Sequence, residues 1–230
     1  MKDFLNKKIL VVAAHPDDEV IGCGGTIAWL ASKGAEIYTL ILGEGITSRD
    51  DKRDTETRKK ELVDLKNQAK KASQLLGVKK LFTCDFPDNR FDEVPLLEIV
   101  KIIEKTKNEV KPDIIFTHYS NDLNIDHCIT YKAVITAARP LPGEKVKDIY
   151  SFEILSSTEW NLPDTFQGNV FIDISETVDA KLKAMECYVS ELKEFPHPRS
   201  LEAIRINSKA AGMKAGLKHA EQFVLVRTVI

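Results

Sequence analysis

The chain lacks an excess of charge of either sign. Its 33 Lys and Arg against 35 Asp and Glu leave a formal charge of −2 over 230 residues. There is thus no basic footprint for nucleic acid. No apolar run approaches membrane-spanning length. Residues 1–8 lead into a strand-like segment, not into the apolar core and cleavage site of a secretory signal. Cysteine is scarce. Cys23, Cys84, Cys128 and Cys187 stand far apart with no CxxC pair, which argues against zinc-ribbon and dithiol redox chemistry and for free thiols in a cytoplasmic protein. With no low-complexity linker and no repeat, residues 1–230 are expected to form one domain. A dinucleotide fingerprint is missing too. In Gly22-Cys23-Gly24-Gly25 the glycines come after three acids, not directly after a strand, and Ile27 stands where the third glycine is needed. Asp-Asp-Glu would repel a pyrophosphate, so these glycines are expected to let a helix pack closely on a sheet.

What the chain does have is alternation. Strands are expected at Ile9–Ala14, Glu36–Leu42, Lys80–Cys84 and Asp113–Thr117. Helices are expected between and after them at Val20–Ser32, Thr55–Leu76, Pro95–Asn108 and Asp126–Ala138, with Gly34 and Gly77 closing the first two. Further strands fall at Asp148–Leu155, Asn169–Ile174 and Glu221–Val229, and helices at Glu176–Leu192 and Ser200–Met213. Strand–helix alternation gives an α/β fold with a mainly parallel sheet and helices on both faces. The strands are apolar without clean alternation, as strands buried on both faces are. In such sheets ligands sit beyond the carboxyl ends of the strands. The loops there carry the polar clusters.

Leu10-Val-Val-Ala-Ala-His15-Pro16-Asp17-Asp18-Glu19 delivers a histidine and three acids to the end of a buried strand. Such a cluster repels itself unless a cation offsets it. His15 and Asp18, with Pro16 fixing the turn between, fit a two-ligand metal clip, and imidazole with carboxylate suits Zn²⁺ or Fe²⁺ better than Mg²⁺. A second cluster, Asp122-Leu-Asn124-Ile-Asp126-His127, follows the apolar run that ends at His118 and Tyr119. Two clusters past two strands can converge on one ion. Asp17 need not be a ligand, since a carboxylate beside an activated water can serve as general base.

Ala14-His15-Pro16-Asp17-Asp18-Glu19 resembles the signature of the PIG-L/LmbE-like metal-dependent N-deacetylases, and Asp126-His127 resembles that family's second motif. The resemblance implies a Rossmann-like fold. It implies zinc held by His15, Asp18 and His127, with Asp17 as the base. It also implies hydrolysis of the acetyl group from a small N-acetylglucosamine-type substrate, free or conjugated, releasing acetate. Asp126 is expected to orient an imidazole, or to N-cap the helix it begins. Two positions depart from the family pattern. Asn124 stands where many members carry histidine; it can donate to an oxyanion but cannot act as a cationic acid, which leaves His118 as the nearest candidate acid. Leu65 stands where an arginine is common, and Arg58, Arg53 and Arg49 are the nearest replacements. Asp88, in Phe86-Pro-Asp-Asn-Arg-Phe91, matches a position that holds a sugar hydroxyl, and a plain type I turn is the competing reading. His197 and Arg199, between and after two prolines, are expected to contact substrate across the mouth, unless that loop merely links two helices with Ser200 as N-cap. A metallohydrolase of another amide or ester and a catalytically silent sugar- or metal-binding protein stay open. Intact Asp17 speaks against the silent binder. A homo-oligomer is compatible with the sequence.

Overall fold

The computed structural model describes Phe4 and residues 6–230. Among them, seven strands form one sheet: β1 (Lys8–Ala13), β2 (Glu36–Gly43), β3 (Lys80–Phe86), β4 (Ile114–His118), β5 (Asp148–Phe152), β6 (Val170–Asp173) and β7 (Ala220–Arg227). The helices are α1 (Asp18–Ser32), α2 (Lys59–Leu75), α3 (Leu96–Val110), α4 (Ile125–Ala137), α5 (Val178–Glu186) and α6 (Leu201–Ala215). Strand order is β3-β2-β1-β4-β5-β7-β6. The pairs β3–β2, β2–β1, β1–β4 and β4–β5 are parallel, and β7 runs antiparallel to both β5 and β6. The expected α/β architecture, a mainly parallel sheet covered on both faces, is the one observed.

Strand β1 shows why its sequence lacks alternation. Ile9, Val11 and Ala13 enter one core, with residues of α1, α2 and α5. Leu10, Val12 and Ala14 enter the other, with residues of α3 and α4. Both faces of the strand are therefore sealed beyond Lys8, and the side chains from Ile9 to Ala13 are all apolar. The chain order reverses at the β1–β4 pair, where β2 lies to one side and β5 to the other. Such a switch point opens a crevice beyond the carboxyl ends of the two strands. The loops after β1 and β4 flank it.

Several element ends differ from the sequence reading. Helix α2 begins at Lys59 rather than Thr55. Asp54 accepts from the backbone of Glu56 and Thr57 and from the Thr57 hydroxyl, which makes a local turn of those residues. Helix α5 stops at Glu186 rather than Leu192. Beyond it Tyr188 and Glu191 are drawn into contacts with Glu19 and Arg49, which a continuing helix would not permit. Asp126 is not an N-cap. Helix α4 starts one residue earlier, and Asn124 is the cap, its side chain accepting from the Asp126 amide at 2.9 Å. Ser200 does cap α6 through the Ala203 amide.

Helix α1 is broken at Cys23 (φ −148°, ψ 22°). The glycines on either side explain how closely it lies on its neighbours. A Cβ at Gly22 would stand 2.4 Å from the Phe152 ring, and one at Gly25 would stand 2.8 Å from Ile174. The break frees backbone groups that a buried ion pair recovers. Lys181 Nζ donates to the Ile21 carbonyl (2.7 Å) and to Glu221 (2.6 Å), and Glu221 accepts from the amides of Gly25 (3.0 Å) and Thr26 (2.7 Å). Glu221→Ala leaves Lys181 unpaired in the interior and two amides without an acceptor. Urea unfolding should show a loss of about 3–5 kcal/mol. Replacing Lys181 by Met in the same chain should recover part of that loss.

Candidate metal centre and active site

The turn after β1 sets the site. His15 donates its amide to Asp18 Oδ2 at 2.8 Å, which curls the chain so that both side chains face one spot. Asp17 sits at φ 101°, a left-handed conformation uncommon for a non-glycine residue. Strand β4 and the cap of α4 bring His127 to the same place. Asp18 Oδ2 lies 3.4 Å from His15 Nδ1 and 3.4 Å from His127 Nε2. The ligand atoms of His15, Asp18 and His127 lie within 4.8 Å of one another.

Two observations favour a cation there. The buried Asp18 Oδ1 and His127 Nε2 have no hydrogen-bond partner among the described residues, although buried polar atoms are almost always paired. The outward nitrogens of both histidines face carboxylates. His15 Nε2 is 2.9 Å from Asp126 Oδ2, and His127 Nδ1 is 3.1 Å from Asp122 Oδ1. A carboxylate on the far nitrogen fixes the ring and raises its basicity toward a metal. Both carboxylates are themselves held. Asp126 accepts from the Phe91 amide at 2.9 Å, and Asp122 accepts from the hydroxyls of Ser157 and Thr158. Two imidazoles and one carboxylate are a donor set that could hold a metal ion and leave a coordination position open.

The electrostatics follow from burial and pairing. Burial works against ionisation of Asp18, but His127, His15 and His118 outweigh it and hold its carboxyl well below the usual range. Burial also opposes the charge on His15; hydrogen bonds to Asp126 and Asp18 prevail and raise it. For Asp17, 1 % exposed, burial pushes the carboxyl well above the usual range. Arg199 opposes this, with Nη1 3.1 Å from Asp17 Oδ2, while the charges of Asp18, Glu191 and Glu19 reinforce it.

A cavity of about 290 Å³ opens over the cluster. Among its walls are His15, Asp17, Asp88, Asn124, His197 and Arg199, all singled out in the sequence. Asp88 is buried and accepts from Ser48 (Oγ 2.6 Å, N 3.1 Å), so it is more than a surface turn. Asn124 donates one amide hydrogen to Asn89 Oδ1 at 2.7 Å. His197 accepts from the Arg199 amide at Nδ1.

Three expected residues fall elsewhere. His118 is fully buried and does not line the cavity. Its Nε2 accepts from the Ala14 amide at 2.8 Å, and its ring stacks on His127 with centroids 4.1 Å apart. An accepting nitrogen carries no proton to give, and burial and the neighbouring His127 both push its pKa well down. It is therefore no general acid. Arg53 is bound by Glu44 (2.7 and 2.8 Å) and Arg58 by Asp50 and Glu61, so neither reaches this cavity. Arg49 does, its Nη2 donating to both Glu191 carboxylate oxygens at 2.7 and 2.9 Å, and Leu65 also lines the wall. Arg199 grips Asp17 as well as facing the cavity. Asp122 and Glu191 belong to the site and were not singled out as site residues. Asp122 had a signal in its spacing to Asp126-His127. Glu191 had none, being 142 residues from Arg49.

The family model described as "PIG-L: GlcNAc-PI de-N-acetylase" matches residues 10–138, more than half of the chain. The chain belongs to the PIG-L family. Diacetylchitobiose deacetylase of Thermococcus kodakarensis is 29 % identical over 224 residues, covering 94 % of this chain and 81 % of its own. The chain is also similar to 4-oxalmesaconate hydratase of Pseudomonas putida, 28 % identical over 205 residues, covering 80 % of this chain and 74 % of its own. In fold the chain is similar to N,N'-diacetylchitobiose deacetylase of Pyrococcus horikoshii, with a TM-score of 0.76, 24 % identity, and coverage of 98 % of this chain and 88 % of the other.

If the carboxylate behind His127 matters to the metal, Asp122→Asn should weaken Zn²⁺ binding about 10- to 100-fold. Competition with a chromophoric chelator measures this, and a folded variant with native affinity would remove Asp122 from the metal site.

Proposed function

We propose that this chain is a zinc-dependent amidohydrolase that removes the acetyl group from an N-acetylated amino sugar of the N-acetylglucosamine type, releasing acetate. The observation that carries this reading is the placement of Asp17. A buried carboxylate beside the three-ligand cluster, lining the cavity and gripped by Arg199, is what a hydrolase needs and a binding protein does not. His15, Asp18 and His127 hold the metal, with Fe²⁺ the alternative ion for the same donors. When bound, the metal supplies Lewis acidity toward water and toward the amide carbonyl.

The chain's own residues do the rest. Asp17 takes a proton from the attacking water. Its elevated basicity suits the task, and the same carboxyl returns the proton to the departing amine. Arg199 orients Asp17 and limits how far its proton affinity rises. Asn124 keeps one amide hydrogen for the carbonyl oxygen, since Asn89 takes the other. Asp88, fixed by Ser48, is placed to accept from a sugar hydroxyl. His197 and Arg49 line the outer part of the binding site. The described residues work as one unit, because the ligands come from the turn after β1 and the first turns of α1 and α4 while Arg199 comes from the segment before α6. The four cysteines are unpaired, and no helix among the described residues is long and apolar enough to cross a membrane. Both fit a cytoplasmic enzyme acting on a small substrate.

A second reading rests on the hydratase relative: addition of water to an unsaturated carboxylic acid at the same centre. One screen separates them. The Zn²⁺-loaded protein should release free amine from N-acetylglucosamine, diacetylchitobiose or a conjugated N-acetylglucosamine. Turnover of an unsaturated dicarboxylate with no amine release would select the second reading. Asp17→Asn should keep its zinc and lose about 10²-fold or more in kcat, as expected for a missing general base. Near-native kcat in that variant would make Asp17 structural.

A further inference from the structure

Glu19 ends the acidic run, yet it is not among the candidate ligands His15, Asp18 and His127. It is 1 % exposed, and both its oxygens are committed. Oε2 accepts from the Asp17 amide at 3.2 Å, and Oε1 accepts from the Tyr188 hydroxyl. Tyr188, with no exposed surface, lies two residues beyond the end of α5. The Asp17 amide precedes the first turn of α1, where no helical carbonyl is available to it. Its residue is also the one held at φ 101°. Glu19 is thus the acceptor that secures the left-handed turn, and Tyr188 holds Glu19 in place.

The segment that supplies Tyr188 also supplies Glu191 and Arg199. Arg199 binds the Asp17 carboxylate at 3.1 Å. Glu191 binds Arg49 and lies 3.6 Å from Arg199. One stretch, residues 187–200, therefore grips Asp17 at both ends, at its amide through Glu19 and at its carboxylate through Arg199.

We propose that Tyr188 and Glu19 are positioning residues for Asp17: a buried two-link strut that fixes the turn at residue 17 and so aims its carboxylate into the cavity. The proposal rests on the reading of Asp17 as general base. It assigns Glu19 a role as an acceptor, not as a charge and not as a proton carrier. A glutamine can fill that role, since its carbonyl oxygen accepts from the Asp17 amide while its NH₂ group donates to the tyrosine oxygen.

The test uses the zinc-loaded full chain with Tyr188→Phe, Glu19→Ala and Glu19→Gln. Tyr188→Phe should lower kcat about 10-fold and Glu19→Ala about 10²-fold, the scale of a sub-ångström to ångström misplacement. KM should stay within about twofold, because substrate contacts are untouched. Zinc content should be native in all three. Glu19→Gln should stay within about threefold of the native kcat. A Glu19→Gln variant as impaired as Glu19→Ala would overturn the proposal, and so would native kcat in Tyr188→Phe. A measurement without substrate separates this from the function itself. Exchange of the Asp17 amide hydrogen, followed by NMR, should be slow in the native protein and in Glu19→Gln, and faster in Tyr188→Phe. If no N-acetyl sugar is turned over, the deacetylase reading falls while this exchange still decides the strut. Unchanged exchange in Tyr188→Phe would sink it.

Discussion

Asp18 has no exposed surface, and one of its oxygens stands 3.4 Å from each of two imidazoles. A carboxylate taken out of water is tolerable only beside positive charge. That demand organises the carboxyl rim of the sheet. It draws His15 and His127 together across the β1–β4 crevice. Each histidine then needs a second acid behind it, which brings in Asp126 and Asp122. Those acids need donors in turn, which fixes Phe91, Ser157 and Thr158. The loop after β3, the cap of α4 and the loop after β5 are thus tied to one ion-sized spot. The sheet supplies the crevice, and charge balance determines which loops close around it.

How much of this is legible in the sequence depends on the range of each contact. His15 and Asp18 are three residues apart, and their turn is written in His-Pro-Asp-Asp. Strands β1 and β4 announce themselves by the apolar runs Ile9–Ala13 and Ile114–Phe116, so the convergence of the two clusters follows from the topology rule. The arginines do not read out in this way. Arg49, Arg53 and Arg58 share a charge and a neighbourhood, and only their partners distinguish them: Glu44 and Asp50 lie nearby in sequence, whereas Glu191 lies far along the chain. His118 misleads for a related reason. Its position at a strand end suggests the rim, but the Ala14 amide turns its ring inward. The early end of α5 is equally invisible, because nothing local stops the helix. Distant contacts to Glu19 and Arg49 do.

The two departures from the family pattern are absorbed differently. Leu65, where an arginine is common, lines the cavity wall, which Arg49 also reaches, from the loop after β2. Asn124 is more constrained. One side-chain oxygen caps α4 and one amide hydrogen binds Asn89. A histidine could not serve both contacts with that geometry. The residue is neutral at every pH, so any acid chemistry on this side of the cavity falls to other groups.

The order of these parts along the chain also matters during synthesis. All three ligands and both acids behind them lie between His15 and His127. Tyr188 and Arg199 come about 60 to 70 residues after His127, roughly 3–14 s at ribosomal rates of 5–20 residues per second. The last strand, β7, then inserts between β5 and β6. The nascent protein therefore has all three candidate ligands before it has the residues that brace Asp17. A chain cut short after α4 would carry the three candidate ligands and lack the grip on Asp17.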